Sequence, residues 1–135
     1  MAQLTPYLTF DGNCRQAMEF YKACLGGELC VMTVADSPMK DQAAAEIQDQ
    51  VMHSQLVAGG IVWMASDTLG RGEVVRGNGT TLCLIGRTKA EIHDLFAKLG
   101  EGGTVGQPLQ EVFFGTFGEL TDQFGVNWMF QADPE

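Results

Sequence analysis

Residues 61–66 read IVWMAS and residues 126–131 read VNWMFQ. The 135-residue chain has two tryptophans, and each is followed at once by methionine. In the second stretch Val126, Trp128 and Phe130 share one face of a strand, while Asn127, Met129 and Gln131 share the other. The first face is wholly apolar and is expected to pack on a helix. The second is mixed and is expected to look toward water or a ligand, and Met64 sits on the corresponding face of the first stretch. The recurrence predicts that the chain is built twice from one plan, each Trp-Met pair marking the final strand.

The helical segments repeat as well. Residues 13–27, NCRQAMEFYKACLGG, place Ala17, Phe20, Tyr21, Cys24 and Leu25 at the spacing of an amphipathic helix. Asn13 is expected to cap it, Gln16 to close a capping box and Gly26 to end it. Residues 88–100, TKAEIHDLFAKLG, repeat the design with Ile92, Leu95, Phe96 and Leu99 as the stripe, and Thr88, Glu91 and Gly100 as punctuation. Asn13 to Thr88, Gln16 to Glu91 and Tyr21 to Phe96 are each 75 residues apart, whereas Trp63 and Trp128 are 65 apart. The first half therefore carries about ten extra residues, and SPMKDQAAAEIQ (37–48) is predicted to be a helix-prone insertion.

The remaining segments read as strands. In the first half these are PYLTF (6–10), ELCVMTV (28–34), VMHSQLV (51–57) and IVWMAS, with Gly59-Gly60 as a turn. In the second they are TLCLI (81–85), LQEVFF (109–114), FGELTD (117–122) and VNWMFQ, with DQFG (122–125) as the last hairpin turn. The expected fold class is α+β: two tandem βαβββ modules forming a cup-shaped mixed sheet with helices on the outer face. The expected boundaries are 1–67 and 80–135 for the modules and 68–79 for the linker, within one structural domain. A cup lined by mixed polar and apolar groups suits a small ligand.

Bulk properties narrow the partners. Eight basic residues against 17 acidic ones leave a net charge of −9, which disfavours nucleic acid and anionic membranes. The first ten residues, MAQLTPYLTF, show no secretory pattern. Every apolar run is far shorter than the ~20 residues of a membrane helix. Cys14, Cys24, Cys30 and Cys83 form no CxxC pair and are read as reduced thiols of a cytoplasmic protein. Cys24, Cys30 and Cys83 fit core positions. Cys14 falls in the first turn of its helix, where a thiol pKa can be lowered.

PYLTFDGNCRQAMEFYKACLGGEL (6–29), VMHSQLVAGGIVWMASD (51–67) and FGELTDQFGVNWMF (117–130) resemble the vicinal oxygen chelate superfamily. That group includes glyoxalase I, extradiol dioxygenases, fosfomycin-resistance enzymes and bleomycin-binding proteins. The similarity is to its PhnB-like branch, labelled 3-demethylubiquinone methyltransferase-like. The chain has no glycine-rich strand–turn–helix of the nucleotide-binding kind to support methyl transfer. In metal-using members, the resemblance implies a His or Gln early on the first strand of a module and a Glu on the last, within D-x-x-G-x-x-x-E. Here DQFGVNWM (122–129) matches the turn, but Met129 takes the Glu position, and the repeat assigns Met64 to its counterpart. The His position falls at Pro6 or Tyr7, with Thr81 or Leu82 in the second half. None of these is a usual ligand for zinc, manganese or iron, so neither a metal nor another cofactor is expected.

The candidate catalytic residues are His53, mid-strand beside Gln55, and Glu119. Simple repeat alignment sets Glu119 against Ser54. Asp122 is expected to shape its turn. The candidate ligand-binding residues are Tyr7, Thr9, Gln55, Met64, Asn127 and Met129. His93 is expected to face solvent. Arg71 and Arg76 mark the linker as either a lid for an anionic substrate or a plain connector. The leading expectation is a small-molecule-binding protein without the usual metal, a homodimer by resemblance. The alternatives are an enzyme of lyase, isomerase or dioxygenase type, using His53 as acid or base or a metal on relocated ligands such as His53 and Glu119, and a non-catalytic interaction protein.

Overall fold

Strand β1 (Tyr7–Phe10) runs parallel to β4 (Ile61–Asp67), with Tyr7 opposite Met64. A parallel pair needs a crossover, and helix α1 (Cys14–Leu25), followed by β2 (Glu28–Thr33) and β3 (Val51–Ala58), supplies it. The sheet order is β1-β4-β3-β2, and the last two pairings are antiparallel. The computed structural model describes residues 2–134 and divides into two compact units, Met1–Val74 and Val75–Glu135.

The second unit repeats the first. Strand β5 (Leu82–Gly86) leads into α2 (Lys89–Leu99), then β6 (Thr104–Val112), β7 (Gly115–Thr121) and β8 (Asn127–Ala132). The order is β5-β8-β7-β6, with β5 parallel to β8. Two tandem βαβββ modules of an α+β fold are thus what the chain forms.

Each sheet packs one face on its helix. Trp63 is 2 % exposed; its ring meets Tyr21 of α1 edge-on at 4.7 Å, and its indole Nε1 donates to Met18 Sδ at 3.0 Å. Burying an aromatic of this kind contributes roughly 1.5–3 kcal/mol. In the second module Phe130 meets Phe96 of α2 at 5.1 Å, and Trp128 Nε1 donates to buried Asp122 Oδ2 at 2.8 Å. Asp122 also shapes the hairpin turn as expected, its Oδ1 accepting from the backbone of Phe124 and Val126.

The helix caps differ from expectation in one case. Thr88 caps α2 by accepting from Glu91 N, and Glu91 reaches back to Arg87 N. Asn13 makes no side-chain cap bond. Instead Asp67, 4 % exposed at the end of β4, accepts from Gly12 N and Cys14 N through Oδ1 and from Val51 N through Oδ2. A carboxylate arriving from the far end of the module takes the capping role, as a helix N-terminus favours. The stripe of α1 is also rotated: Cys14 and Met18 are buried, whereas Phe20 and Leu25 are only partly covered.

Three further expectations are corrected. The insertion forms two 3-10 turns, Lys40–Gln42 and Ala45–Ile47, rather than an α-helix. Strand β6 begins at Thr104, and Phe113-Phe114 form the hairpin tip instead of continuing it. Gly106 and Pro108 sit within β6 at two breaks in register; both residues are tolerated because β6 is an edge strand. Lastly, Cys30 and Cys83 are exposed, and only Cys14 and Cys24 are buried.

Candidate functional site

Opposed residues in a sheet point to the same face, so the registers show which side chains share the faces turned away from α1 and α2. In the first module Tyr7 pairs with Met64, Met64 with Gln55 and Gln55 with Cys30, giving one row across all four strands. In the second, Cys83 pairs with Met129, Met129 with Glu119 and Glu119 with Gln107. Both methionines are half-buried, as a mixed face should leave them.

These rows correct the repeat alignment. Glu119 corresponds to Gln55, not Ser54, because each pairs with the methionine of its module. Ser54 lies on the opposite face, where its Oγ donates to Ala65 O at 2.7 Å. Cys83, not Thr81 or Leu82, is the counterpart of Tyr7. For Cys83 the cause is a strand-to-helix link of three residues in the first module, 11–13, and two in the second, 87–88; for Glu119 it is the last hairpin, which is one residue longer between the paired positions in the second module.

The first module gathers five of the sequence-predicted residues. His53 pairs with Met32 on the same face as Gln55, and Thr9 pairs with Ser66 one row from Tyr7 and Met64. The Tyr7 hydroxyl lies 3.3 Å from His53 Nδ1, and the two rings stand 5.9 Å apart. Beside them, Cys30, Val31, Met32, His53 and Gln55 line an open pocket of about 370 Å³. The second module gathers Glu119, Asn127 and Met129. Glu119 and Asn127 line a pocket of about 250 Å³ with Asn78, Thr81, Gly106 and Thr121. Asn127 is held there: its Oδ1 accepts from Thr121 Oγ1 at 2.9 Å, and its Nδ2 donates to Gly77 O at 3.1 Å. Among the described residues, the side chains of Gln55 and Glu119 make no hydrogen bond or ion pair, so both are available to a ligand.

Two residues that β-strand alternation could have flagged were missed. Cys30 and Met32, two apart on β2, face the same side as His53. Cys14 is the reverse case. Burial pushes its thiol up to about 12, partly offset by the Ser54 hydroxyl at 3.6 Å, so the helix start does not make it a nucleophile. Partial desolvation by its neighbours also raises the Cys83 thiol, although the residue is exposed. His93 is exposed, as expected.

The residues at the metal positions of the resembled enzymes do not fit a hard divalent ion. Tyr7 and Met64 in one module, and Cys83 and Met129 in the other, offer phenol, thioether and thiol where imidazole and carboxylate are wanted. Among the described residues no three His, Cys, Asp or Glu side chains cluster to hold such an ion. His53 and Glu119 belong to different modules. Among the described residues no helix is long and apolar enough to cross a membrane.

Comparison with known proteins places these features. A family model described as 3-demethylubiquinone-9 3-methyltransferase matches residues 2–131. Protein YjdN of Escherichia coli (strain K12) is 32 % identical over 139 residues, covering 96 % of this chain and 94 % of that one. The crystal structure of protein PA1353 from Pseudomonas aeruginosa superposes with a TM-score of 0.89 at 39 % identity, over all of both chains. The PhnB protein of Bacillus cereus shares the fold, with a TM-score of 0.77 at 23 % identity over 97 % of this chain and 99 % of that one.

Proposed function

The chain belongs to the 3-demethylubiquinone-9 3-methyltransferase family, and on that footing, together with its resemblance to the PhnB-like branch of the glyoxalase/bleomycin-resistance/dioxygenase superfamily, we propose that it binds a small, partly apolar molecule on the helix-free faces of its sheets, without the divalent metal of the metal-using members. The observation that carries this reading is the Tyr7–His53 contact of 3.3 Å standing beside Gln55 and Met64. A few polar groups over an apolar floor are what orient a small ligand. In the second module Glu119 and Asn127 flank Met129 in the same way. Methyl transfer is not part of the reading. The links into α1 and α2, Asp11-Gly12-Asn13 and Arg87-Thr88, are not glycine-rich phosphate-binding loops.

A second reading, an enzyme, has one observation in its favour. A hydroxyl on Nδ1 fixes the His53 ring and leaves Nε2 to exchange a proton with a bound molecule. Turnover that His53→Gln abolishes while binding persists would select it. Self-association belongs to the proposal too. Phe113, 95 % exposed at the β6–β7 tip, is a candidate contact, and Phe113→Ser should then reduce the mass measured by light scattering. Four free cysteines support a reducing, cytoplasmic setting.

A thermal-shift screen of neutral aromatic and carbonyl compounds tests binding. A ligand at 100 times its Kd stabilises the native state by about 2.7 kcal/mol. The shift should disappear in a Tyr7→Phe, His53→Ala, Gln55→Ala triple variant and persist in Asn13→Ala. A shift that survives the triple variant overturns the assignment of the site.

A further inference from the structure

We propose that the open pocket between β2 and β3 is a binding site for a soft monovalent cation of the copper(I) class, held by Cys30, Met32 and His53. The proposal goes beyond the small-ligand reading and shares only Tyr7, His53 and Gln55 with it.

Cys30 and Met32 stand two residues apart on one strand, so both project from the same face. Met32 lies opposite His53 and Cys30 opposite Gln55, and all four line the 370 Å³ pocket. Opposed residues have Cβ atoms about 4.5–5.5 Å apart, close enough for thioether and imidazole to reach one ion. Cys30 lies farther along the strand, and the three rotatable bonds of Met32 let the donors converge. Thiolate, thioether and imidazole together select a soft cation over magnesium, calcium or manganese. Among the described residues no carboxylate lines the pocket.

The surroundings agree with this use. Cys30 is an exposed free thiol. His53 is oriented through Nδ1 by the Tyr7 hydroxyl, which leaves Nε2 as the donor. Outer partners of this kind fix the ring that binds the ion. A net charge of −9 attracts cations to the surface. Binding transfers the Cys30 thiol proton to solvent and involves no change of oxidation state. The second module provides an internal control. Gln107 takes the place of Cys30, and the Cys83–Met129 pair has no histidine facing it among its register partners.

The test is an anaerobic titration of the full chain with copper(I) against bicinchoninate as a coloured competitor. Wild type should withdraw one equivalent from the competitor. Cys30→Ser and His53→Ala should each lower the affinity at least 100-fold, and Tyr7→Phe by about tenfold, whereas Cys83→Ser should leave it unchanged. X-ray absorption of the complex should show a mixed sulfur and nitrogen shell. Cys30 is exposed, so matching circular dichroism should show the variant folded. No competition by wild type, retention of the ion by folded Cys30→Ser, or loss on Cys83→Ser would each overturn the proposal. The small-ligand reading fails separately, through the aromatic and carbonyl screen in metal-free buffer.

Discussion

Gln55 stands opposite Met64 and Glu119 stands opposite Met129, so the two occupy one position of the repeated module. One module presents a neutral amide there and the other a carboxylate, and neither side chain has a partner among the described residues. Glu119→Gln should therefore change stability by less than about 0.5 kcal/mol. It should weaken cationic ligands of the second module about tenfold, or about 1.4 kcal/mol, and leave neutral ligands unaffected. Calorimetric titration of matched charged and neutral compounds measures the difference.

Asp67 satisfies three backbone N–H groups that would otherwise be buried or half-buried without partners. Each such loss costs about 1–3 kcal/mol, so Asp67→Ala should destabilise by roughly 3 kcal/mol or more. Asn13→Ala, at the formal cap position, should cost less than about 0.5 kcal/mol because no side-chain bond is lost. Urea denaturation of the two variants should give this order.

Gly27 and Gly103 meet the same obstacle in their two modules. A Cβ at Gly27 would lie 2.2 Å from Val57 O, and one at Gly103 would lie 2.3 Å from Thr121 O. Gly27 also has φ +91°, which adds strain for any other residue. Each alanine variant should lose about 1–3 kcal/mol from overpacking, with Gly27→Ala the worse of the two. Thermal unfolding of the pair checks the ranking.

Cys14 imposes an alkaline limit. Its thiol titrates near 9.0 when unconstrained and at about 12 in the fold. The unfolded chain thus loses this proton first. The contribution is fully present below pH 9 and is lost as pH rises toward 12, at about 1.4 kcal/mol per pH unit. Relative to wild type, Cys14→Ala should gain stability steadily across that window. A difference independent of pH would contradict the burial argument. At pH 8 a thiol reagent should modify Cys30 and Cys83 and spare Cys14 and Cys24.

The two-module plan was legible because period and punctuation repeat: the helix stripes and the Trp-Met strands each keep a constant offset. Alternation in VNWMFQ correctly sent Trp128 and Phe130 to the helix and Met129 to the other face. The sequence offered little hold on long-range capping, since nothing local marks Asp67 as the partner of Gly12 and Cys14. It misplaced Glu119 by one residue because the modules differ in loop length, and one residue reverses the face of a strand position. Gly106 and Pro108 in an edge strand look like a turn, which hides the first half of β6. Tyr7, His53, Gln55 and Met64 are legible as candidates one strand at a time, and only the strand register brings them to one face; Cys30 and Met32 stay hidden because an apolar reading of β2 assigns Cys30 to the core.

The claim that the helix-free faces hold the ligand is tested most directly by methyl-labelled methionine NMR on the seven methionines. Titration with a compound that raises the melting temperature should move the methyl signals of Met64, Met129 or both, and leave that of Met18, fully buried under Trp63, in place. Signals of Met64 and Met129 that stay fixed at saturation, while others move, would contradict the account.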